Sequence, residues 1–531
     1  MAQKLTLDAM IKRADFFQKE DEDKSGSAAS AKQLSSINFD TLRSDSNFVL
    51  NLRKPDFQRE TNQWSVDQTL GFIQSFVDGF FVPSVILWQS KDGYVFVIDG
   101  AHRLSALRAW MEDDYGDRAI SQAFFGGEIP NAQLKIARKI REKVDSSIDT
   151  YRSLKDKLTA RNSNPSIQYD EKLNVRLKNL GTRELELQWV GGDASVAEAS
   201  FFKINTQGTA LDKTEEALLR NRDHAIAVAA RSIVRAATGH KYWSKFKSDK
   251  GSEIESLSKS IYQLFFRPEI EQPIKTLQLP LGGTTSTLDS LATIIKLLSI
   301  TETTPSKGRV SLADSAIDSE GDSTISVLKN CLKTLNRITG TDRSSLGLHH
   351  AVYFYSERGK QIPELFLGMA NLIKSKLLNN DGDFFKKFTS VRAKLEAYIL
   401  AHKSIITQAL SAVRSENRTE RMSDVFGYLI ETFVRSEEPT MEGLFEAARL
   451  KGNIVQFKQK VENKNFSDEA KSSIFLREGF KSSIKCSICQ GYLEPATSGS
   501  YDHIVRKSEG GLGEDSNGQL AHPYCNTGYK N

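Results

Sequence analysis

The chain has 531 residues, 39% hydrophobic and 26% charged, enough for about three domains of ordinary globular composition, which excludes a single small module, a fibrous repeat and a disordered chain. Its 72 Lys and Arg against 67 Asp and Glu leave a net charge of +5, too little to require a polyanionic partner by itself, so any nucleic-acid surface must be local. No apolar run reaches the ~18 residues of a membrane span, and the start lacks the apolar core of a secretion signal, so the expectation is a cytoplasmic protein with no membrane association.

In chain order, residues 19–36 are charged and rich in small side chains, and residues 1–37 are expected to be a flexible lead. The text then reads as a helix over 66–77, strands over 82–88 and 94–98, and a second helix after Gly100. Residues 130–165 carry dense charge at helical spacing and are expected to be an exposed helical excursion. Strands are expected at 173–177 and 184–190, followed by an Asn205-Thr-Gln-Gly208 turn into a helix near Asp212. Helical periodicity dominates 215–475, with polar breaks and no fixed-period repeat. The expected organisation is therefore multidomain α+β: a first domain at 38–214, a mainly α-helical middle domain at 215–475 and a small unit at 476–531.

Three of the four cysteines, Cys486, Cys489 and Cys525, gather near the end of the chain, which fits a metal site in a reducing compartment better than a disulfide framework. Cys486-x-x-Cys489 and His522-x-x-Cys525 supply two ligand pairs, each from one tight turn, as a tetrahedral structural zinc site requires. Between the pairs stand Asp502-His503, a Gly-rich loop and Asn517, and Asn526 follows the last thiol. This arrangement resembles the HNH, or ββα-metal, nucleases. The resemblance implies that His503 is the general base for the attacking water, that Asp502 and Asn526 hold one Mg²⁺ or Mn²⁺, and that Asn517 braces the loop. Arg506 and Lys507, with Lys481 and Lys485 upstream, are the expected phosphate contacts on DNA.

Near the start, the strand Tyr94–Ile98 runs into Asp99-Gly-Ala-His102-Arg103 and a helix, a corner that can aim backbone N–H groups at an anion. Phe57-Gln58-Arg59 and Trp64 precede it, and Phe202-Lys-Ile-Asn205-Thr-Gln-Gly208 follows. Together these blocks resemble the DGQQR-motif domain of GmrSD-type and SspE-type restriction proteins, of the ParB and sulfiredoxin-like α/β superfamily. The resemblance implies binding of a nucleoside triphosphate through Asp99, His102 and Arg103, supported by Arg59 and Asn205, and sensing of modified DNA. Here the motif reads DGAHR, with Ala101 and His102 in place of two glutamines. On the residues alone Asp99 also fits a helix cap, and Asn205 and Gly208 a turn.

Three readings follow. The first is a modification-dependent, nucleotide-regulated HNH endonuclease or nickase of bacterial antiphage defence, acting on modified phage DNA, with a homo-oligomer or a partner from the same defence system as its assembly. The second is a nucleotide-responsive DNA-binding regulator whose zinc-stabilised HNH unit is structural and inactive. The third is an unregulated HNH nuclease with a scaffold domain.

Overall fold

The computed structural model describes residues 4–16, 33–56, 58, 61–62, 64–207, 213–283, 290–304, 308–450 and 465–530. They form two compact units, Met1–Arg222 with Thr238–Tyr242, and Asp223–Ala237 with Trp243–Asn531. Among the described residues no helix is long and apolar enough to cross a membrane.

The first unit is built on a mixed sheet of six strands: β1 (Arg13–Ala14), β2 (Ser36–Ile37), β3 (Leu52–Pro55), β4 (Val85–Gln89), β5 (Val95–Asp99) and β6 (Leu185–Trp189). Their order is β1-β3-β5-β4-β6-β2. β1, β3 and β5 run parallel, and β4 turns back antiparallel to β5 with Trp88 opposite Phe96. Because successive residues of a strand face opposite sides, a central strand covered on both faces must be apolar throughout. β5 obeys this: Val95 and Val97 enter one core with Ile73, Phe76, Leu104 and Leu107, while Phe96 and Ile98 enter another with Phe16, Trp88 and Phe201. The helices Val66–Val77 and Ala101–Glu112 supply the first layer and Ala194–Gln207 the second. Ser65 opens the Val66–Val77 helix through a capping box with Gln68.

Four expectations need correction. Residues 4–16 are not a flexible lead: Leu5, Leu7, Met10, Ile11 and Phe16 are buried, and β1 adds to the sheet edge beside β3. Residues 173–177 are helical, within Glu171–Thr182, because Leu173, Leu177 and Leu180 recur at helical rather than strand spacing and Asp170 caps the first turn. The charged excursion forms the helices Asn131–Ser147 and Tyr151–Ser163, but a stripe of Ile136, Ala137, Ile140 and Val144 buries the first of them in the core. Asn205 lies inside the helix Ala194–Gln207 rather than in a turn, and Gly208 lies outside the described residues.

The N-terminal segment brings a buried charge with it. Arg13 Nη2 lies 3.1 Å from Asp8 Oδ1, Lys54 Nζ contacts the same oxygen, and the Thr61 N–H donates to it at 3.0 Å. Burial alone would raise the Asp8 carboxyl, but the charges of Arg13 and Lys54 override it and hold the group far below the ordinary carboxylate range.

The second unit is mainly helical: Ala225–Val234, Ser248–Phe266, Leu291–Thr301, Asp322–Ile338, Pro363–Leu378, Gly382–Ala412, Arg418–Val434 and Asp468–Lys481 surround its core. Its small antiparallel pair, β7 (Ser500–His503) and β8 (Gly518–Ala521), belongs to the same unit. The long helix Gly382–Ala412 breaks its helical dihedrals at His402 and carries a buried polar row. Arg392 Nε donates to Glu396 at 2.6 Å, the Tyr353 hydroxyl donates to Glu396 at 3.0 Å, and Lys403 Nζ donates to the Ala351 carbonyl at 2.7 Å. Burial pushes the Lys403 ammonium down to about 7.

Two stability predictions follow from these buried charges. Asp8→Asn strands the Arg13 and Lys54 cations and is expected to lower unfolding free energy by about 3–5 kcal/mol, measured by denaturant melts. Because the folded carboxyl is the depressed one, its contribution is present above about pH 4 and is lost as pH falls. Lys403 has the opposite sign: between about pH 7 and 10 the unfolded chain holds the proton that the folded chain has lost, so stability rises with pH across that window. Lys403→Met is expected to flatten that rise in thermal melts taken across the pH range.

Candidate functional site

The ligand atoms of Cys486, Cys489, His522 and Cys525 all lie within 4.8 Å of one another, and the four side chains are buried or nearly so. Four thiolates around zinc at 2.3 Å would stand about 3.8 Å apart, so the cluster has the size of a tetrahedral site. Cys489 Sγ and Cys525 Sγ are 3.4 and 3.7 Å from His522 Nδ1. His522 Nε2 lies 3.0 Å from the Tyr492 carbonyl, an acceptor that places the ring proton on Nε2 and turns the Nδ1 lone pair toward the thiols. Burial, then the nearby Arg392 charge, holds the His522 imidazole below its ordinary pKa, in the neutral form that a metal needs. The donor set fits a structural Zn²⁺.

The knuckle is fastened to the helical body by the same buried row. Glu396 accepts the Tyr492 N–H at 2.6 Å, and Arg392 donates to the carbonyls of Leu346 and Gly347. Gly347 has a positive φ of 56°, and a Cβ there would stand 2.9 Å from the His522 ring. A glycine is therefore required where the body meets the metal ligand.

The two strands and the turn after them complete a ββα unit. β7 pairs with β8 so that Asp502 faces Gln519 and His503 faces Gly518 across the ladder. Asp502 is buried, and its Oδ2 accepts from Gln519 Nε2 at 2.7 Å and from Lys530 Nζ at 2.9 Å. Asn526, on the helical turn Cys525–Tyr529, donates its amide to Ser500 Oγ at 2.8 Å and to the Tyr501 carbonyl at 3.1 Å, tying the turn to β7. Asn517 joins both ends of the loop: it accepts the Val505 N–H at 2.7 Å and donates to the Val505 and Leu512 carbonyls. Asp502 and Asn526 offer hard oxygen donors, the chemistry that a divalent Mg²⁺ or Mn²⁺ takes.

The expected phosphate contacts surround this unit unevenly. Lys507 and Lys485 are exposed, Lys485 over the Tyr492 ring at 5.1 Å. Lys481 is exposed but pairs with Glu478 at 2.7 Å, and Arg506 donates to the Lys530 carbonyl. Lys530 and Gln519, the two donors on Asp502, are residues that sequence reasoning missed. The available signal was spacing: Lys530 lies four residues after Asn526, one helical turn on.

In the first unit Asp99 ends β5, Gly100 takes φ 98°, and the helix Ala101–Glu112 begins at once. A Cβ on Gly100 would stand 2.8 Å from Val85, so the corner admits only glycine. Asp99 does not cap the helix; its carboxylate pairs with Arg103, which also donates to the Ser84 carbonyl at 3.0 Å. Arg103 Nε is buried with no partner among the described residues. His102 stacks on Trp64, with ring centroids 5.4 Å apart. The segment 4–16 holds the approach to Trp64: the Leu5 N–H donates to the Trp64 carbonyl and the Leu7 N–H to that of Thr61. Thus Asp99, His102 and Arg103 share one corner, Asn205 lies on the helix of the opposite layer, and Arg59 is outside the described residues.

Cys489→Ser, or chelation under native conditions, is expected to release one zinc per chain and to lower the melting temperature of the second unit, read by metal analysis and calorimetry.

Residues 39–222 match the family model of the GmrSD restriction endonuclease, N-terminal domain. No curated protein and no solved structure matches the chain. The matched span holds β3 to β6, the DGAHR corner and the helices on both faces of the sheet, and it excludes the segment 4–16 that completes the sheet edge. Residues 39–222 are therefore similar to the N-terminal domain of the GmrSD restriction endonuclease.

Proposed function

We propose that the chain is a DNA endonuclease or nickase of restriction defence that hydrolyses a phosphodiester bond at the ββα unit, under the control of the first unit. The observation that carries the reading is the placement of Asp502 and His503 on one strand, tied by Asn526 to the turn that the Cys486–Cys489–His522–Cys525 cluster fixes. His503 is half-buried on β7, opposite Gly518 across the ladder. In this reading its neutral imidazole takes the proton of the attacking water. Asp502 and Asn526 hold Mg²⁺ or Mn²⁺, which when bound supplies charge stabilisation at the leaving oxygen. Asn517 keeps the loop shaped, and Arg506, Lys507, Lys481 and Lys485 meet phosphates.

The first unit acts as the sensor in this proposal. The Asp99-Gly100 corner, with an Arg103 nitrogen left unpaired, supports binding of a nucleoside triphosphate through Asp99, His102 and Arg103, with Arg59 and Asn205 assisting. A role in restriction is supported by the similarity of residues 39–222 to the GmrSD restriction endonuclease N-terminal domain, and dependence on DNA modification by the resemblance of the Phe57–Arg59, Asp99–Arg103 and Phe202–Gly208 blocks to GmrSD-type and SspE-type restriction proteins. One observation favours the regulator reading: Lys530 Nζ pairs with Asp502 Oδ2 at 2.9 Å, so a side-chain cation balances this carboxylate.

The test is Mg²⁺-dependent cleavage of unmodified, glucosyl-hydroxymethylcytosine and phosphorothioate DNA, each with and without GTP, ATP or CTP. His503→Ala is expected to reduce cleavage by about 10²–10⁴-fold, the range of a lost general base, with zinc retained. Equal cleavage by that variant would remove His503 from the chemistry. Absence of cleavage by the parent chain, with DNA binding that responds to nucleotide, would establish the regulator.

A further inference from the structure

The helical turn after β8 brings a cation to the carboxylate that the proposed metal would use. Lys530 Nζ lies 2.9 Å from Asp502 Oδ2 and also donates to the His503 carbonyl. Asp502 has 6% of its side chain exposed and Lys530 19%, so the lysine is the outer partner of the pair. A buried carboxylate needs a counter-charge, and Lys530 supplies it here. The same turn carries Asn526, whose amide reaches β7 at Ser500 Oγ and the Tyr501 carbonyl. Lys530 and Asn526 therefore meet β7 from one turn, and the lysine occupies the carboxylate that Asn526 would share with a divalent cation.

The pair is built so that the ammonium can leave without disturbing its surroundings. Both donors on the carboxylate, Lys530 and Gln519, take Oδ2, and among the described residues Oδ1 accepts no hydrogen bond. Gln519 is a neutral amide on the paired strand, so its 2.7 Å hydrogen bond keeps Asp502 oriented with or without the lysine. The Lys530 backbone is anchored separately: its N–H donates to the Cys525 carbonyl at 3.1 Å, and its own carbonyl accepts from Arg506. Only a flexible four-carbon stem holds the ammonium in place. An ammonium and a divalent cation on one carboxylate are like charges a few ångströms apart, which is strongly unfavourable in a partly buried site. One of the two must go.

We infer that Lys530 is an exchange cation at Asp502: it neutralises the carboxylate while no divalent cation is bound, yields it when Mg²⁺ or Mn²⁺ binds, and then pairs with a phosphate of the DNA, so that metal and substrate load together. The inference rests on the nuclease reading and adds to it the residue that sets when the site takes its metal. It also accounts for an ion pair at a position where that reading needs a ligand. The displaced ammonium stays beside the site because its backbone is tied to Cys525 and Arg506, and a phosphate is the anion that the proposed reaction brings there. By linkage, DNA that captures the ammonium raises metal affinity, and metal that frees it raises DNA affinity by the same factor.

The experiment uses the full chain with His503→Ala, so that DNA is bound and not cut; the backbone carbonyl that Lys530 meets at this position is kept. Mn²⁺ binding is read from the loss of the free-ion electron paramagnetic resonance signal, and zinc content reports that the unit stays folded. Without DNA, Lys530→Met in this background is expected to tighten Mn²⁺ binding about tenfold, as removal of a like charge next to a site does. Lys530→Gln, neutral but still a donor, should tighten it too. Lys530→Arg, which keeps the charge, should bind Mn²⁺ like the parent, and Asp502→Asn should abolish binding. A duplex is expected to tighten Mn²⁺ binding by the parent about tenfold more than by Lys530→Met, because only the parent has an ammonium to relocate. Unchanged or weaker Mn²⁺ binding by the neutral variants, tightening by Lys530→Arg as well, or an equal effect of DNA on the parent and Lys530→Met overturns the exchange alone. Loss of zinc by both neutral variants makes Lys530 a structural cation and overturns it equally. No Mn²⁺ binding by the parent or the neutral variants, with or without DNA, or binding that survives Asp502→Asn, overturns the metal site of the nuclease reading, and the exchange falls with it.

Discussion

The convergence of three thiols and one imidazole on a common centre is the constraint on which the rest of the ββα unit depends. Two four-residue strands and a single helical turn cannot bury enough apolar surface to hold their own geometry. The cluster joins the turn before β7 to the turn after β8, and the Asn526 N–H donates to the His522 carbonyl at 3.0 Å, so it bears on the relative positions of Asp502, His503 and Asn526. It is fixed in its turn from below: the His522 proton goes to the Tyr492 carbonyl, and the Tyr492 N–H goes to Glu396 on the long helix. A chain of single hydrogen bonds thus runs from the helical body to the metal ligands.

Buried ionic groups recur where the chain must be held in register. Arg392 and Glu396 are buried in the second unit, and each also satisfies backbone groups outside the helices, those of 346–347 and of 492. Asp8, Arg13 and Lys54 do the same in the first unit, where Arg13 donates to the carbonyls of Pro55 and Gln58. A buried pair costs desolvation and stabilises little against an apolar substitute, but removing one partner is severe. Such pairs therefore specify one arrangement more than they strengthen it, and here the arrangement is that of the segments leading into the two candidate sites.

The two sites differ in how completely the chain itself supplies them. At the ββα unit the side chains that position Asp502 come from the ladder partner and the last turn, all within thirty residues of it. At the DGAHR corner the supporting groups come from far apart: Trp64 under His102, Ser84 beneath Arg103, and residues 4–16 behind them. Local sites of the first kind can be recognised by spacing. Sites of the second kind need the sheet order before their members can be named.

Both ligand pairs, the Asp502-His503 strand and the Gly100 corner were legible in the sequence, because each rests on chemistry that tolerates few residue types at a fixed spacing. The helical character of the middle region was legible for the same reason of periodicity. The charged excursion at 130–165 is helical but not wholly exposed, because charge density says which face is wet but not whether the other face is buried. The strand expected at 173–177 is part of a helix because the Leu173–Leu177 spacing fits either element, and only Leu180 and the Asp170 cap outside that window extend it as a helix. Residues 4–16 escaped because an edge strand of two residues leaves almost no pattern, and its charged residues looked solvated until Lys54 and Asp8 were brought together. The sequence by itself determined which side chains could bind a metal or move a proton. Only the tertiary structure decided which groups hold them, Lys530 and Gln519 on Asp502 or Glu396 beneath the knuckle, because those contacts join residues whose separation along the chain carries no signal.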